Sequence, residues 1–129
     1  MEFMPNSYWI DTATLPTHRK LSGDVDVDVI VVGGGITGIT AAYLAKRAGK
    51  TVALLDRDRC AMIDTGHTTA HLTAVPDLRL KEIGRRFGRE AARATWDAGI
   101  AAMDEIVQLI RREEIACDFH WLPGYLHAT

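Results

Sequence analysis

Three glycines and an aspartate carry the first chemical signal. Gly33, Gly35 and Gly38 fall in the pattern G-x-G-x-x-G within "VIVVGGGITG", and Asp56 follows 18 residues after Gly38 at the end of "TVALLD". Glycine at these spacings lets a chain turn sharply, lets a phosphate come close to the backbone, and lets a helix lie near a strand. A helix opening at Ile36 and Thr37 points its unpaired N–H groups and positive dipole end at that phosphate. An acidic side chain about 20 residues further on accepts hydrogen bonds from ribose hydroxyls and repels an added 2'-phosphate. The chemistry implied is the grip on a dinucleotide. No residue of the stretch stands out as a catalytic base, so the catalytic residues stay unassigned.

Such a site needs a strand before the glycines, a helix after them, and a second strand that ends at the acid. "DVDVDV", residues 24 to 29, alternates charge with valine, as a strand does when one face is wet and the other packed. "VIVV", residues 29 to 32, is apolar on both faces, as in a parallel sheet covered on both sides. The glycines then fall at the carboxyl end of that strand, where open parallel sheets bind ligands. A helix is expected over about 36 to 48 with Gly49 as its C-terminal cap, and a second strand over 51 to 56. The fold class is α/β, with a Rossmann-like FAD/NAD(P)-binding β-α-β unit followed by a long helical segment.

The remaining sequence is plainer. Residues 1–23 have prolines, Gly23 and polar groups without a period, and read as an irregular lead-in. Residues 59 to 76, rich in Thr, Gly and His, read as an ordered loop. From Asp77 to about Ile115 the pattern is helical, interrupted near Gly84 and Gly88. Ala92, Trp96, Ile100, Met103, Val107 and Ile110 form an apolar stripe at three- and four-residue steps. Arg85, Arg86, Arg89 and Arg93 cluster, but Glu82, Glu90 and Asp97 dilute them. Cys117 and Phe119 are expected on the buried face of an extended strand, with His120 on the other.

A formal net charge of -2 with 25% charged residues gives no basic excess, so neither nucleic acid nor an anionic membrane surface is an expected partner. No apolar run approaches the roughly 18 residues of a membrane span, and residues 1 to 20 lack the apolar core of a signal peptide. Cys60 and Cys117 make no disulfide framework, and a cytoplasmic setting is expected. His67 and His71 are four apart, yet the Gly and Thr around them disfavour a helix and no ligand set is completed; no metal site is expected.

The stretch "DVIVVGGGITGITAAYLAKRAGKTVALLD" resembles the opening of FAD-dependent oxidoreductases of the D-amino-acid oxidase type. "SYWIDT" before it and "TGHTTAHLTAVPDLRLKEI" after it are similar to the branch that joins such a flavin domain to a C-terminal Rieske iron-sulfur domain. This resemblance implies that residues 24–129 are the N-terminal part of a longer FAD-binding domain, incomplete as it stands. It implies FAD as cofactor, with a 2Fe-2S Rieske cluster only in the full-length parent. The parent reaction it implies is oxidation of a small-molecule amine or amino acid by hydride transfer to FAD. In that family the segment after the acid returns beneath the cofactor, which makes Gly66, His67, Thr68 and Thr69 candidates beside Gly33, Gly35, Ile36, Thr37, Gly38, Asp56 and Arg57. Family members usually carry Glu where this chain has Asp56. "CDFH" has the form of half a Rieske site but lacks the second Cys and His, and packing is its plain reading.

Two other readings stay open. One is a nicotinamide-binding dehydrogenase domain in which Arg57 and Arg59 accept a 2'-phosphate, disfavoured by the His-Thr loop. The other is a catalytically silent fragment or binding module. The sequence fixes no oligomeric state.

Overall fold

The computed structural model describes residues 7–125. They divide into two compact units, one ending at Ala70 and the other beginning at His71.

The first unit is built on two parallel strands, β1 (Val29–Val32) and β2 (Val52–Leu55), with Val29 opposite Val52 and Val32 opposite Leu55. A parallel pair cannot be closed by a tight turn, and helix α2 (Ile36–Arg47) supplies the crossover. Both ends of the pairing are pinned. At the start, the Asp28 carboxylate accepts the Thr51 N–H and the Thr51 hydroxyl, each at 2.8 Å, while the Asp28 N–H donates to that hydroxyl oxygen at 2.9 Å. These bonds, the Thr51 N–H foremost, hold the Asp28 carboxyl below its ordinary pKa. At the other end the Gly33 N–H reaches the Leu55 carbonyl at 2.8 Å and carries the ladder into the glycine turn.

Burial differs between the strands. All four β2 residues are half-buried. In β1, Val29 and Val31 are half-buried, but Ile30 and Val32 are exposed, Val32 at 83%. The expectation of two covered faces therefore fails for the Ile30–Val32 side of β1, against which no element among the described residues of this unit packs closely enough to exclude water.

Helix α2 stops at Arg47, one residue earlier than expected. Gly49 follows in the left-handed region at φ 79°, and its N–H bonds the Lys46 carbonyl at 3.0 Å. Lys50 N–H bonds the Ala45 carbonyl at 3.1 Å, so the last carbonyls of the helix are satisfied. The lead-in, expected to be irregular, contains one helical turn, α1 (Tyr8–Thr12). Ser7 caps it by accepting the Ile10 N–H.

The second unit is a helix pair, α3 (Leu80–Phe87) and α4 (Arg89–Arg112). The break falls at Gly88, at φ 91°, and not at Gly84, which lies inside α3. Ile83 is the one buried large hydrophobic side chain among the described residues. The expected stripe of α4 is rotated in its first half. Ala92, Met103, Val107 and Ile110 are half-buried, whereas Trp96 and Ile100 stay exposed and the face runs through Thr95 and Gly99. A Cβ on Gly99 would lie 3.2 Å from the Ala74 Cα, so the segment before α3 crosses α4 at that glycine.

Three of the four clustered arginines form local ion pairs. Glu82 takes Arg85 at 2.8 Å and Arg86 at 2.6 Å, and Arg93 lies 3.5 Å from Asp97. Beyond α4, residues 113 to 125 form no strand. Cys117 and His120 are exposed, and Phe119 is half-buried and edge-on to Trp121. The predicted buried strand is thus replaced by irregular chain. Among the described residues, no helix is long and apolar enough to cross a membrane.

Candidate functional site

The site grows out of the turn that leaves β1. Gly33 sits at φ 103°, a backbone conformation that side chains disfavour, and this redirects the chain over the end of the sheet. Gly34 is buried: its N–H donates to Asp56 Oδ2 at 2.6 Å and its carbonyl accepts the Ala61 N–H at 2.8 Å. Gly35 is the N-cap of α2, extended at φ −80°, with no side chain to cap the helix. The first N–H groups of a helix have no partner inside it. Here one of them, that of Ile36, is taken by the Thr65 hydroxyl at 3.0 Å. Gly38, inside the helix, lies so near the turn that an added Cβ would stand 1.9 Å from the Gly33 carbonyl oxygen.

A second wall faces this turn. After β2, Asp56 ends the strand and the chain returns through residues 59 to 65. Glycine turn, start of α2, Asp56 and returning wall enclose a cleft of about 630 Å³, within the size range of small-molecule sites. Its charged lining groups are Asp56, Arg59 and Asp64.

Asp56 is the tie between the halves. Oδ1 accepts the Asp58 N–H at 2.9 Å and Oδ2 the Gly34 N–H at 2.6 Å. The Asp58 N–H, then the Gly34 N–H, hold the carboxyl below its ordinary pKa against a smaller opposing desolvation, and the Arg57 charge adds a still smaller lowering. Because the folded state favours the ionised form, this contribution to stability is fully present above the unfolded value of about 3.9. It fades as pH falls through the lower folded value. Unfolding midpoints in urea measured from about pH 6 down to about pH 3 should fall more steeply for the native chain than for Asp56→Asn. Asp28 contributes in the same direction and is untouched by that change, so part of the slope persists. Equal slopes would mean that the tie is absent in solution.

Of the residues singled out from sequence, Gly33, Gly35, Ile36, Thr37, Gly38 and Asp56 line the cleft together. Arg57, Gly66, His67, Thr68 and Thr69 are not in its lining. Gly66 is buried behind the wall, where an added Cβ would lie 2.4 Å from the Ala61 carbonyl oxygen and 3.3 Å from the Ile10 side chain. His67 is exposed, with Nδ1 at 2.7 Å from the Ile63 carbonyl. A carbonyl only accepts, so Nδ1 carries the proton in that bond. The lining also holds residues outside the candidate set: Gly34, Arg59 and Thr65. Thr65 is one position short of the predicted return segment, and Arg59 two positions past the predicted arginine.

The arrangement suits one kind of ligand. Backbone N–H groups at a glycine turn and helix start meet an anion, and a carboxylate at the strand end meets hydroxyl groups. The titratable lining groups supply no nucleophile with a base beside it.

Comparison with known proteins agrees with this picture. The family model for FAD-dependent oxidoreductases matches residues 28–129. Over 125 residues, 97% of this chain, the sequence is 36% identical to YhfW of Bacillus subtilis, named a Rieske 2Fe-2S iron-sulfur protein, and covers 25% of that protein. Over 106 residues, 82% of the chain, it is 29% identical to gamma-glutamylputrescine oxidoreductase of Escherichia coli and covers 24% of it. A shorter stretch of 42 residues, 33% of the chain, is 45% identical to D-amino acid dehydrogenase of a Methylobacterium species, covering 10% of it. The chain thus spans about a quarter of the length of the relatives it matches along most of its course. No solved structure gives a significant match.

Proposed function

This chain belongs to the family of FAD-dependent oxidoreductases, and from that premise we propose that its first unit grips the ADP half of FAD in a Rossmann-like β-α-β site. The observation that carries the reading is the cleft itself: Gly33, Gly35 and Gly38 at one wall, the start of α2 above them, and Asp56 at the end of β2. Each element has a job. The pyrophosphate lies against the backbone at Gly35 and the opening turn of α2, where N–H groups and the helix dipole offset its charge. Asp56 accepts from the ribose hydroxyls with lone pairs beyond those used by Gly34 and Asp58, since each carboxylate oxygen has two. Its shorter arm, compared with Glu, sets the ribose nearer to the strand end. The Thr65 hydroxyl, which holds the Ile36 N–H, is the group best placed to yield to a phosphate oxygen.

FAD, when bound, supplies the hydride acceptor, and the chain's own residues supply position and charge. The substrate of the whole protein, in this reading, is a small-molecule amine or amino acid, after the activities named for the Escherichia coli and Methylobacterium relatives. Electrons would pass to a Rieske cluster held elsewhere in a longer parent, after the name of the Bacillus relative. Residues 24–129 then form the N-terminal part of the FAD-binding domain, with residues 1–23 leading into it. The exposed Ile30 and Val32 face of β1 is where further segments of that domain would pack.

A nicotinamide dinucleotide is the competing ligand, and Arg59 in the lining is what favours it, because a guanidinium beside the ribose suits a 2'-phosphate. The test is flavin absorbance after incubation with FAD and desalting, run on this chain and on a longer native form, alongside NAD and NADP. Flavin retained at near one per chain is the expected result. Retention of NADP in its place, or of no dinucleotide by either form, would refute the reading.

A further inference from the structure

The lead-in lies outside the residues matched by the family model, yet its ties converge on one place. The Ser7 hydroxyl donates to the Gly66 carbonyl. The Trp9 indole N–H donates to the Thr68 carbonyl at 2.7 Å. The Leu15 carbonyl accepts an Arg59 guanidinium N–H at 3.1 Å. All three partners belong to the segment that forms, or backs, the second wall of the cleft. Gly66 allows this docking because it has no side chain to strike Ile10 or the Ala61 carbonyl.

We infer that residues 7–15 are a positioning strap for the dinucleotide cleft, which fixes the returning wall and aims Arg59 at the anionic part of the ligand. The inference rests on the reading that the cleft takes a dinucleotide. Its logic is one of preorganisation. A free arginine side chain loses several rotamers on binding a phosphate, whereas one donor already tied to Leu15 holds the planar fork in place and leaves the other N–H groups for the ligand. Thr65, on the same wall, touches the first turn of α2 through Ile36. Displacing the wall would therefore disturb both sides of the cleft. Arg59 is a binding residue in this scheme; Ser7, Trp9 and Leu15 are positioning residues that act through it and through the wall.

The test is a cycle of FAD affinities in the full native protein: wild type, removal of residues 1–15, Arg59→Ala, and both changes together. Removal of the lead-in and Arg59→Ala should each weaken FAD by about tenfold, the scale of one charge-assisted hydrogen bond. Together they should weaken it by much less than the product of the two, because they remove one shared interaction. A lead-in that merely stabilised the fold would give losses that multiply, and that result, or an unchanged affinity without the lead-in, overturns the strap. Trp9→Phe keeps an aromatic ring and loses the donor, which guards against a deletion that fails to fold. It should speed amide exchange across residues 59 to 68 with no cofactor present, and unchanged exchange there also overturns the strap. If wild type binds no FAD, the dinucleotide reading fails and takes the role of Arg59 with it, while the exchange measurement still reports on the docking.

Discussion

Gly38→Ala is expected to cost the first unit about 3 kcal/mol or more and to remove its cooperative unfolding transition. The added Cβ would lie 1.9 Å from the Gly33 carbonyl oxygen, 3.1 Å from its carbonyl carbon, and 3.3 Å from Val31 Cγ1. A methyl group meeting a flexible side chain can be accommodated by a rotamer change. The Gly33 carbonyl cannot turn away so cheaply, because the neighbouring N–H of the same residue is bonded to Leu55 and its φ is already confined to the left-handed region. Relief must come from moving α2 off β1, which gives up the packing of a unit with little apolar surface to spare. Alanine is otherwise the better helix former by about 1 kcal/mol, so the sign of the result separates close approach from propensity. Urea unfolding followed by circular dichroism measures it, and a variant within about 0.5 kcal/mol of wild type would show that the helix does not lie this close.

The role of Gly38 was readable from spacing alone because it follows from local geometry: a strand, a turn and a helix that must pack back within a few residues. The same holds for Gly33 at the turn, for the carboxyl end of β1 and for the start of α2; the charge and valine alternation of residues 24 to 28, by contrast, is not strand, because pairing with β2 begins only at Val29. What was not readable depended on partners distant in sequence. Gly34 looks like a spare glycine in the motif, but the chain returns over it, and an added Cβ would stand 2.6 Å from Cys60 Sγ. Nothing in the local pattern announces that contact. Arg57 and Arg59 are equivalent by composition, and only the path of the returning chain puts Arg59 in the cleft. Gly66 was expected beneath the cofactor, and its missing side chain is used instead for docking α1. On α4, the periodicity of Trp96 and Ile100 with Met103 fitted one helical stripe. The small residues Thr95 and Gly99 win that face because the chain near Ala74 comes too close for a large side chain.

Gly35→Val is expected to do the opposite of Gly38→Ala: leave the fold intact and weaken FAD by about 100-fold. Gly35 is extended at φ −80° and ψ −178°, a conformation open to any residue. An added Cβ there meets only Thr65 Oγ1, at 3.4 Å, which is ordinary contact. As a helix N-cap without a side-chain bond, the position loses about 1 kcal/mol on the change from Gly to Val, too little to unfold the unit. The valine methyl groups instead enter the cleft where a phosphate would approach the backbone. Two N–H contacts to a charged oxygen, at about 1.5 kcal/mol each, sum to about 3 kcal/mol and hence to roughly a 100-fold loss. Gly35→Ala, with one methyl group, should fall between. Flavin titration and thermal melting on the same samples decide the matter. Affinity unchanged in Gly35→Val would mean that the pyrophosphate lies elsewhere, and a lost melting transition would mean that Gly35 serves packing as Gly38 does. Two glycines three residues apart thus answer different demands, one for the approach of a helix to its own strand and one for the approach of a ligand to the helix. Only the second can be filled while the protein stays folded.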